Sequence, residues 1–244
     1  MTNTYKMADK IIEIHSLYQE VHNYCRDYRA DGQPDFSVAI TPDDISYERK
    51  KSADNDIAEG RTIQYWQDTY LEKLAVYRKI AEKMPEYNTF LFHGSAVAVD
   101  GKCYLFTAKS GTGKSTHTRL WRELLGSRAV MVNDDKPLIR VSENGITVFG
   151  TPYNGKHQIG SNIAVPLKAI CILKRARENS IRSVTKAEAY AMLLQQSYRP
   201  NSRIALAKTL ALIDKMADQV TLWELDCNIS SEAAQIAYEK MSSL

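Results

Sequence analysis

The spacing of apolar residues predicts a small, mostly helical α+β lobe over residues 1–88. Apolar side chains recur at three- and four-residue steps over residues 62–84, which is typical of a helix with one buried face. Thr41 offers an N-cap and Pro42 a proline at the first helical position, so another helix should begin there. A short strand is predicted over residues 36–40.

The pattern changes over residues 89–244, where short apolar and β-branched runs alternate with helical segments. Asp100-Gly101 and Asn144-Gly145 each separate two apolar runs, which is the strongest short-range signal for a β-hairpin. A helix is predicted over residues 114–125, and Thr185 with Glu188 forms a capping-box pattern before a later helix. Further strands are predicted over residues 91–99, 102–107, 129–132, 136–142, 146–149, 167–173 and 220–225. We therefore expect residues 89–244 to form an α/β unit built on a mixed sheet.

Composition and charge indicate the class of protein, but they do not identify a ligand. The 244 residues include 32 basic and 29 acidic side chains, and this formal net charge of +3 predicts neither a nucleic-acid partner nor a membrane surface. The N-terminal residues lack the apolar segment of a signal peptide, so we expect a cytoplasmic protein. The four scattered cysteines contain no C-x-x-C pair and should be reduced, packed thiols. The oligomeric state stays open.

A glycine-rich motif follows the predicted strand 102–107 and opens the predicted helix 114–125. Residues 108–115 match the Walker A pattern except that alanine replaces the first glycine. Backbone N–H groups and the positive end of the helix would converge there on a polyphosphate such as ATP. The alternative is an ordinary turn of small residues between a strand and a helix. Because the match extends through Gly-Lys-Ser, the sequence favours a phosphate-binding loop. The predicted nucleotide-binding residues are Ser110, Gly111, Thr112, Gly113, Lys114, Ser115 and Thr116.

Two acidic residues, Asp134 and Asp135, end the next apolar strand. In phosphoryl-transfer enzymes an acid at this place holds Mg²⁺, while a second carboxylate accepts a proton from the attacking hydroxyl. A polar strand end or turn is the alternative for Asn-Asp-Asp taken alone. Together with the Walker A pattern, the pair favours a metal-assisted active site.

Other candidates are less specific. His93 precedes Gly94 on the strand before the loop and could orient an acid, although a lone histidine is more often structural. Lys156 lies in a donor-rich loop that is either an ordinary turn or a segment that meets the transferred phosphoryl group. The basic cluster that includes Lys174 and Arg175 is interpreted as a solvated strand end.

The motif set resembles the HPr kinase/phosphorylase C-terminal domain and the related ATP-dependent phosphoenolpyruvate carboxykinases. The resemblance rests on His93-Gly94, on the Ser-Gly-Thr-Gly-Lys-Ser loop at 110–115 and on Asp134-Asp135, and it covers roughly residues 91–173. It implies a P-loop core in a mixed sheet whose loop emerges from an antiparallel hairpin. The chain resembles small HPr-kinase-like proteins of peptide-modification clusters and free-serine kinases more than it resembles the bifunctional HPr kinases.

The resemblance also implies roles for the candidate residues. Asp134 would be the catalytic base, His93 would lie beside the carboxylates, and Lys114 and Lys156 would meet phosphate. Asp135 and Ser115 would hold Mg²⁺. The chain departs from the bifunctional HPr kinases because no Glu-x-Arg-Gly signature follows the aspartate pair, so HPr itself is not the expected acceptor.

The leading hypothesis is an ATP- and Mg²⁺-dependent kinase that phosphorylates a hydroxyl of a peptide, protein or small metabolite. A carboxykinase-type lyase is one alternative, and a nucleotide-binding regulatory module without catalysis is another. The sequence leaves open the acceptor, the phosphoryl donor and the division of roles between Asp134 and Asp135.

Overall fold

The chain folds into two compact units. The structure is a computed structural model that describes residues 1–243. The first unit is Met1–Lys83, and the second begins at Met84. No helix within residues 1–243 is both long enough and apolar enough to cross a bilayer.

The first unit combines a three-stranded sheet with three helices. Its elements are β1 (Thr2–Met7), β2 (Lys10–His15), α1 (Glu20–Tyr24), β3 (Phe36–Ala39), α2 (Pro42–Ala58) and α3 (Asp68–Lys83). The start of α2 at Pro42 and the strand at 36–39 are as predicted, but the lobe contains more sheet than expected. The β1–β2 hairpin turns at Ala8 and Asp9, which both have positive φ, 47° and 58°. Because neither residue is glycine, the turn gave no clear sequence signal.

The helix predicted over residues 62–84 is shorter than expected, and that prediction is wrong at its N-terminal end. Gly60, with φ of 65°, follows α2, and residues 61–67 are not helical. The buried Asp56 carboxylate accepts hydrogen bonds from the Gln64 backbone N–H, at 3.0 Å, and from the Arg61 guanidinium. These contacts hold the segment in a non-helical conformation, and α3 begins only at Asp68.

The second unit is built on a nine-stranded mixed sheet, which confirms the α/β prediction. Its strands are β4 (Thr89–Leu91), β5 (Ser95–Val99), β6 (Lys102–Thr107), β7 (Ala129–Asn133), β8 (Leu138–Ser142), β9 (Gly145–Phe149), β10 (Ala164–Arg175), β11 (Ser180–Ser183) and β12 (Thr221–Cys227). The main path runs β4-β8-β9-β10-β6-β5-β7, and β12 pairs with β10 and β11. The run predicted as one strand over residues 91–99 is interrupted at His93-Gly94, where the chain passes from β4 to β5.

Helices cover both faces of this sheet. They are α4 (Lys114–Leu125), α5 (Lys186–Gln196), α6 (Arg203–Gln219) and α7 (Ser231–Ser242). Successive residues of β6 point to opposite faces of the sheet. Leu105 packs in the core under α5 and α6, whereas Phe106 packs against α4 and α7. The bounds of α4 agree with the prediction. The capping box before α5 is also confirmed, since Thr185 N donates to the Glu188 carboxylate at 2.8 Å.

Strand direction brings the functional segments to one edge of the sheet. β6 runs antiparallel to β5, and β5 runs antiparallel to β7, so β6 and β7 point the same way. β10 and β12 are parallel to one another, and β10 is parallel to β6. The segments that follow these four strands therefore meet at the same edge. Ligands of open α/β sheets bind at such edges, outside the carboxyl ends of the strands.

Candidate active site

The glycine-rich loop connects the end of β6 to the start of α4. Gly111 and Gly113 have φ of 75° and 118°, which is a backbone region that side chains disfavour. A Cβ added at Gly111 would meet no heavy atom within 4 Å. Packing inside the protein therefore does not require glycine there. The positive φ of Gly111 and the open space above the loop explain why glycine occupies this position.

A cavity of about 580 Å³ lies against this loop. Its volume falls within the ~300–1,000 Å³ typical of small-molecule sites. The lining residues are His93, Ser110, Gly111, Gly113, Lys114, Ser115, Thr116, Asp134, Asp135, Gly155, Lys156 and His157. All the site residues predicted from the sequence, apart from Thr112, lie around this cavity, and Gly155 and His157 join them.

Lys114, the first residue of α4, is a buried cation at the floor of the cavity. Its side chain is only 9% exposed, and Nζ donates a hydrogen bond of 3.2 Å to the Ala108 carbonyl. Burial lowers the pKa of Lys114, while the negative charges of Asp135 and Asp134 oppose that shift. The arrangement holds a positive charge where an anion could approach it.

Asp134 is held by hydroxyl groups from two other elements. Ser95 of β5 donates a hydrogen bond of 2.6 Å to Asp134 Oδ1, and Thr118 of α4 lies 2.8 Å from the Ser95 hydroxyl. Burial raises the pKa of Asp134, and hydrogen bonds from Ser95 and Ser115 partly offset this. A carboxylate with a raised pKa is a better proton acceptor than an exposed one.

Asp135 has a different electrostatic environment. Its Oδ1 lies 3.3 Å from His93 Nε2, and its Oδ2 accepts a hydrogen bond from the Lys136 ammonium. Burial tends to raise the pKa of Asp135, but the His93 hydrogen bond and the Lys136 charge outweigh it and lower the pKa to about 2. Asp135 therefore stays ionised at neutral pH. The two adjacent acids have opposite pKa shifts, which is the pattern expected when neighbouring acids carry different roles.

Asn133, the last residue of β7, holds the turn that contains Asp135 and Lys136, and it was not among the predicted site residues. Its Oδ1 accepts hydrogen bonds from Asp135 N at 2.9 Å and Lys136 N at 2.7 Å. Its Nδ2 donates to the Thr151 hydroxyl at 3.0 Å. The Asn-Asp-Asp segment is thus a turn as well as part of the cavity. Asparagine at a strand end was the available signal, since its side chain commonly bonds the backbone two residues later.

The loop after β9 closes the other side of the cavity. Gly155 has φ of 79°, a backbone conformation that favours glycine, and it lies next to Asp135, since a Cβ there would be 3.5 Å from Asp135 Cβ. Lys156 and His157 follow and are exposed to solvent. His157 was not predicted as a site residue because nothing in its local sequence distinguishes it.

Thr112 does not line this cavity, and its role in nucleotide binding stays a prediction. Its carbonyl accepts a hydrogen bond from Arg175 Nε at 3.3 Å, and Arg175 also donates to the Gly111 carbonyl. Arg175, interpreted from the sequence as part of a solvated strand end, is exposed at the end of β10 and also holds the glycine-rich loop through these hydrogen bonds.

The residues present fit a magnesium nucleotide. Mg²⁺ usually takes one or two carboxylates together with phosphate oxygens and water. Asp135 and Ser115 offer a carboxylate and a hydroxyl to such an ion, while Lys114 and the loop N–H groups face the same cavity. Within residues 1–243 no group of three or more histidine, cysteine, aspartate or glutamate side chains could hold a metal ion.

The chain is weakly similar to one solved kinase. The HPr(Ser) kinase/phosphatase from Coxiella burnetii shares 10% sequence identity with it, with a TM-score of 0.34, over 63% of this chain and 99% of that chain. This likeness is too low to support an inference about function. No curated protein is significantly similar in sequence.

A family model gives a clearer result. The model described as "SynChlorMet cassette protein ScmC" matches residues 61–229, which is more than half of the chain. The matched region contains the glycine-rich loop, Asp134, Asp135 and Lys156. The protein is therefore a member of the ScmC family.

Proposed function

We propose that this protein is an ATP- and Mg²⁺-dependent kinase that transfers a phosphoryl group to a hydroxyl of a peptide, protein or small metabolite. One observation carries the proposal. A single cavity is lined by a glycine-rich loop, a buried lysine and two carboxylates with opposite pKa shifts. Phosphoryl transfer depends mainly on positioning and on charge neutralisation, and these groups supply both.

Each side chain has a role in the proposed reaction. Lys114 neutralises phosphate oxygens held by the N–H groups of the glycine-rich loop. Asp134, with its raised pKa, accepts the proton of the acceptor hydroxyl as that oxygen attacks the γ-phosphorus of ATP. The bond from the γ-phosphorus to the bridging oxygen breaks at the same time, and ADP leaves. His93 holds the Asp135 carboxylate in place.

Asp135 and Ser115 would hold Mg²⁺, which supplies charge neutralisation between the phosphates when it is bound. The exposed Lys156 lies at the mouth of the cavity, where the transferred group would pass. The HPr-kinase-like motif set described above agrees with this division of roles, which keeps Asp134 as base and Asp135 at the metal.

The direct test is incubation with γ-labelled ATP, Mg²⁺ and a panel of hydroxyl compounds and peptides. The wild type should give a labelled acceptor. Asp134→Asn should abolish transfer while it still binds nucleotide, because the amide cannot accept the proton. Asp214→Asn, an exposed aspartate that pairs with Lys186, is the matched control and should keep full activity. An unchanged rate in Asp134→Asn would remove the base assignment.

A further inference from the structure

A second cavity, of about 350 Å³, lies on the opposite side of the glycine-rich loop from the aspartate pair. It shares Gly111, Gly113 and Thr116 with the first cavity, so the two meet at the loop. The wall facing away from the loop is formed by residues from α4 and from the ends of β10 and β12. A ligand bound at the loop in the first cavity could therefore extend directly into the second.

The position of this cavity follows from the parallel part of the sheet. β6, β10 and β12 are parallel, and the loop, Arg175 and Cys227 stand at or just after their carboxyl ends. The crevice outside such strand ends is where α/β sheets bind nucleotides. The aspartate pair, which follows β7, lies on the other side of β6.

The wall of the second cavity is largely apolar. Leu120 and Leu173 are 7% and 4% exposed, whereas Ile229 is 79% exposed at the rim. An exposed isoleucine beside two buried leucines offers a surface that a flat ring would cover. This wall contrasts with the first cavity, which is lined by charged and hydroxyl side chains.

Polar groups stand at the inner end of the cavity. Arg175 donates to the Gly111 and Thr112 carbonyls, which places a guanidinium beside the junction of the two cavities. His117, also part of the wall, accepts a hydrogen bond of 3.1 Å from Trp121 Nε1 at its Nε2. Because indole only donates, the neutral ring carries its hydrogen on Nδ1.

His117 Nδ1 is a buried donor without a partner among the described residues 1–243. Buried donors are rarely left unpaired, and an exception often marks a functional group or a missing ligand. Because Nδ1 has almost no accessible surface, the support for a ligand on this side of the loop is the cavity itself, its apolar wall and its junction with the first cavity.

We propose that the second cavity binds the nucleoside part of the phosphoryl donor, with the base against Leu120, Leu173 and Ile229. The donor is then a nucleoside triphosphate and not inorganic pyrophosphate. This inference rests on the proposed function, because it takes the phosphates to lie in the first cavity.

Binding measurements separate the two proposals. Isothermal titration with Mg²⁺ should show ATP or GTP binding at least roughly tenfold more tightly than inorganic tripolyphosphate. Equal affinity for nucleotide and tripolyphosphate, with both lost in Lys114→Ala, would overturn the nucleoside cavity and leave the phosphate site intact. Failure of all three compounds to bind would overturn both proposals.

Ile229→Asp gives a sharper test, because this exposed residue can be changed without disturbing the core. The substitution should remove most of the preference for nucleotide over tripolyphosphate and leave tripolyphosphate binding unchanged. Ile204→Asp, at an isoleucine that is 74% exposed on α6, is the matched control and should keep the preference. A preference that survives in Ile229→Asp would contradict the proposed position of the base.

Cys227 provides a readout that does not depend on activity. It lines the second cavity and is partly exposed, whereas Cys25, Cys103 and Cys171 are buried. ATP should slow the labelling of Cys227 by N-ethylmaleimide, and tripolyphosphate at a saturating concentration should not. Equal protection by the two compounds would place the base elsewhere.

Discussion

The Ser95 hydroxyl donates a hydrogen bond of 2.6 Å to the Asp134 carboxylate and so connects β5 to the residue that follows β7. Because the single Ser95 hydrogen is used in this bond, Thr118 is the donor in its 2.8 Å contact with Ser95. Helix α4, which carries Lys114, therefore also positions the proposed base.

Ser95→Ala should lower the rate of phosphoryl transfer by roughly 10- to 100-fold, since a hydrogen bond to a charged group contributes ~1.5–3 kcal/mol. The lost bond also raises the pKa of Asp134 further, so the acidic limb of the pH–rate profile should move to higher pH. Nucleotide affinity should not change. Ser142→Ala, at a hairpin hydroxyl that bonds the Gly145 carbonyl, is the control. An unmoved acidic limb would mean that Ser95 has only a structural role.

Lys114→Met should separate stability from function. Burial disfavours the Lys114 charge, so an apolar side chain of similar length should leave the thermal midpoint unchanged or raise it. Nucleotide binding should fall by at least about 100-fold, because the cation facing the phosphates is gone. Calorimetry and titration measure the two effects. Lys102→Met, at an exposed position on β6, is the control and should change neither the thermal midpoint nor nucleotide binding. A large loss of stability in Lys114→Met would contradict this interpretation.

His117 should make the second unit sensitive to acid. Burial lowers the pKa of His117 to about 4 from 6.5. As the pH falls below 6.5 the unfolded chain binds the proton first, so stability is fully present above that pH and declines towards pH 4. The expected loss is about 3 kcal/mol.

Urea unfolding followed by tryptophan fluorescence at several pH values would measure this loss. His117→Leu should flatten the dependence between pH 6.5 and pH 4, although it leaves the Trp121 N–H without its acceptor. His15→Leu, at a partly exposed histidine of the first unit, should keep the wild-type slope. An equally steep dependence in His117→Leu would assign the acid sensitivity to other groups.

The Arg78 guanidinium should contribute strongly to the stability of the first unit. It forms ion pairs with Asp44, at 3.0 Å, and with Glu48, which is only 4% exposed. Arg78→Leu would leave the Glu48 carboxylate buried and unpaired, so we expect a loss of ~3–5 kcal/mol in the free energy of unfolding. Denaturation with urea measures it. Arg49→Leu removes a more exposed ion pair with Asp68 and should lower the free energy of unfolding by less than about 1 kcal/mol. Similar losses in the two variants would contradict the role assigned to Arg78.

Local sequence signals predicted much of the second unit. The helix predicted from Lys114 to about Leu125 and the Thr185–Glu188 capping box are both present. These features depend on hydrogen bonds and steric limits within a few residues, which the sequence specifies directly. The helix expected from residue 62 failed because Asp56 binds the Gln64 backbone, a contact between segments that no local pattern reveals.

The sequence by itself determined the glycine-rich pattern and the adjacent acids, since these are properties of side-chain type and short spacing, and their phosphate, acid and base roles stay predictions. Only the tertiary structure decided that His93, Asp134 and Lys156 meet around one cavity and that Arg175 supports the loop from behind. The physical reason is strand direction. β6, β7, β10 and β12 all end at the same edge of the sheet, and that arrangement depends on long-range pairing.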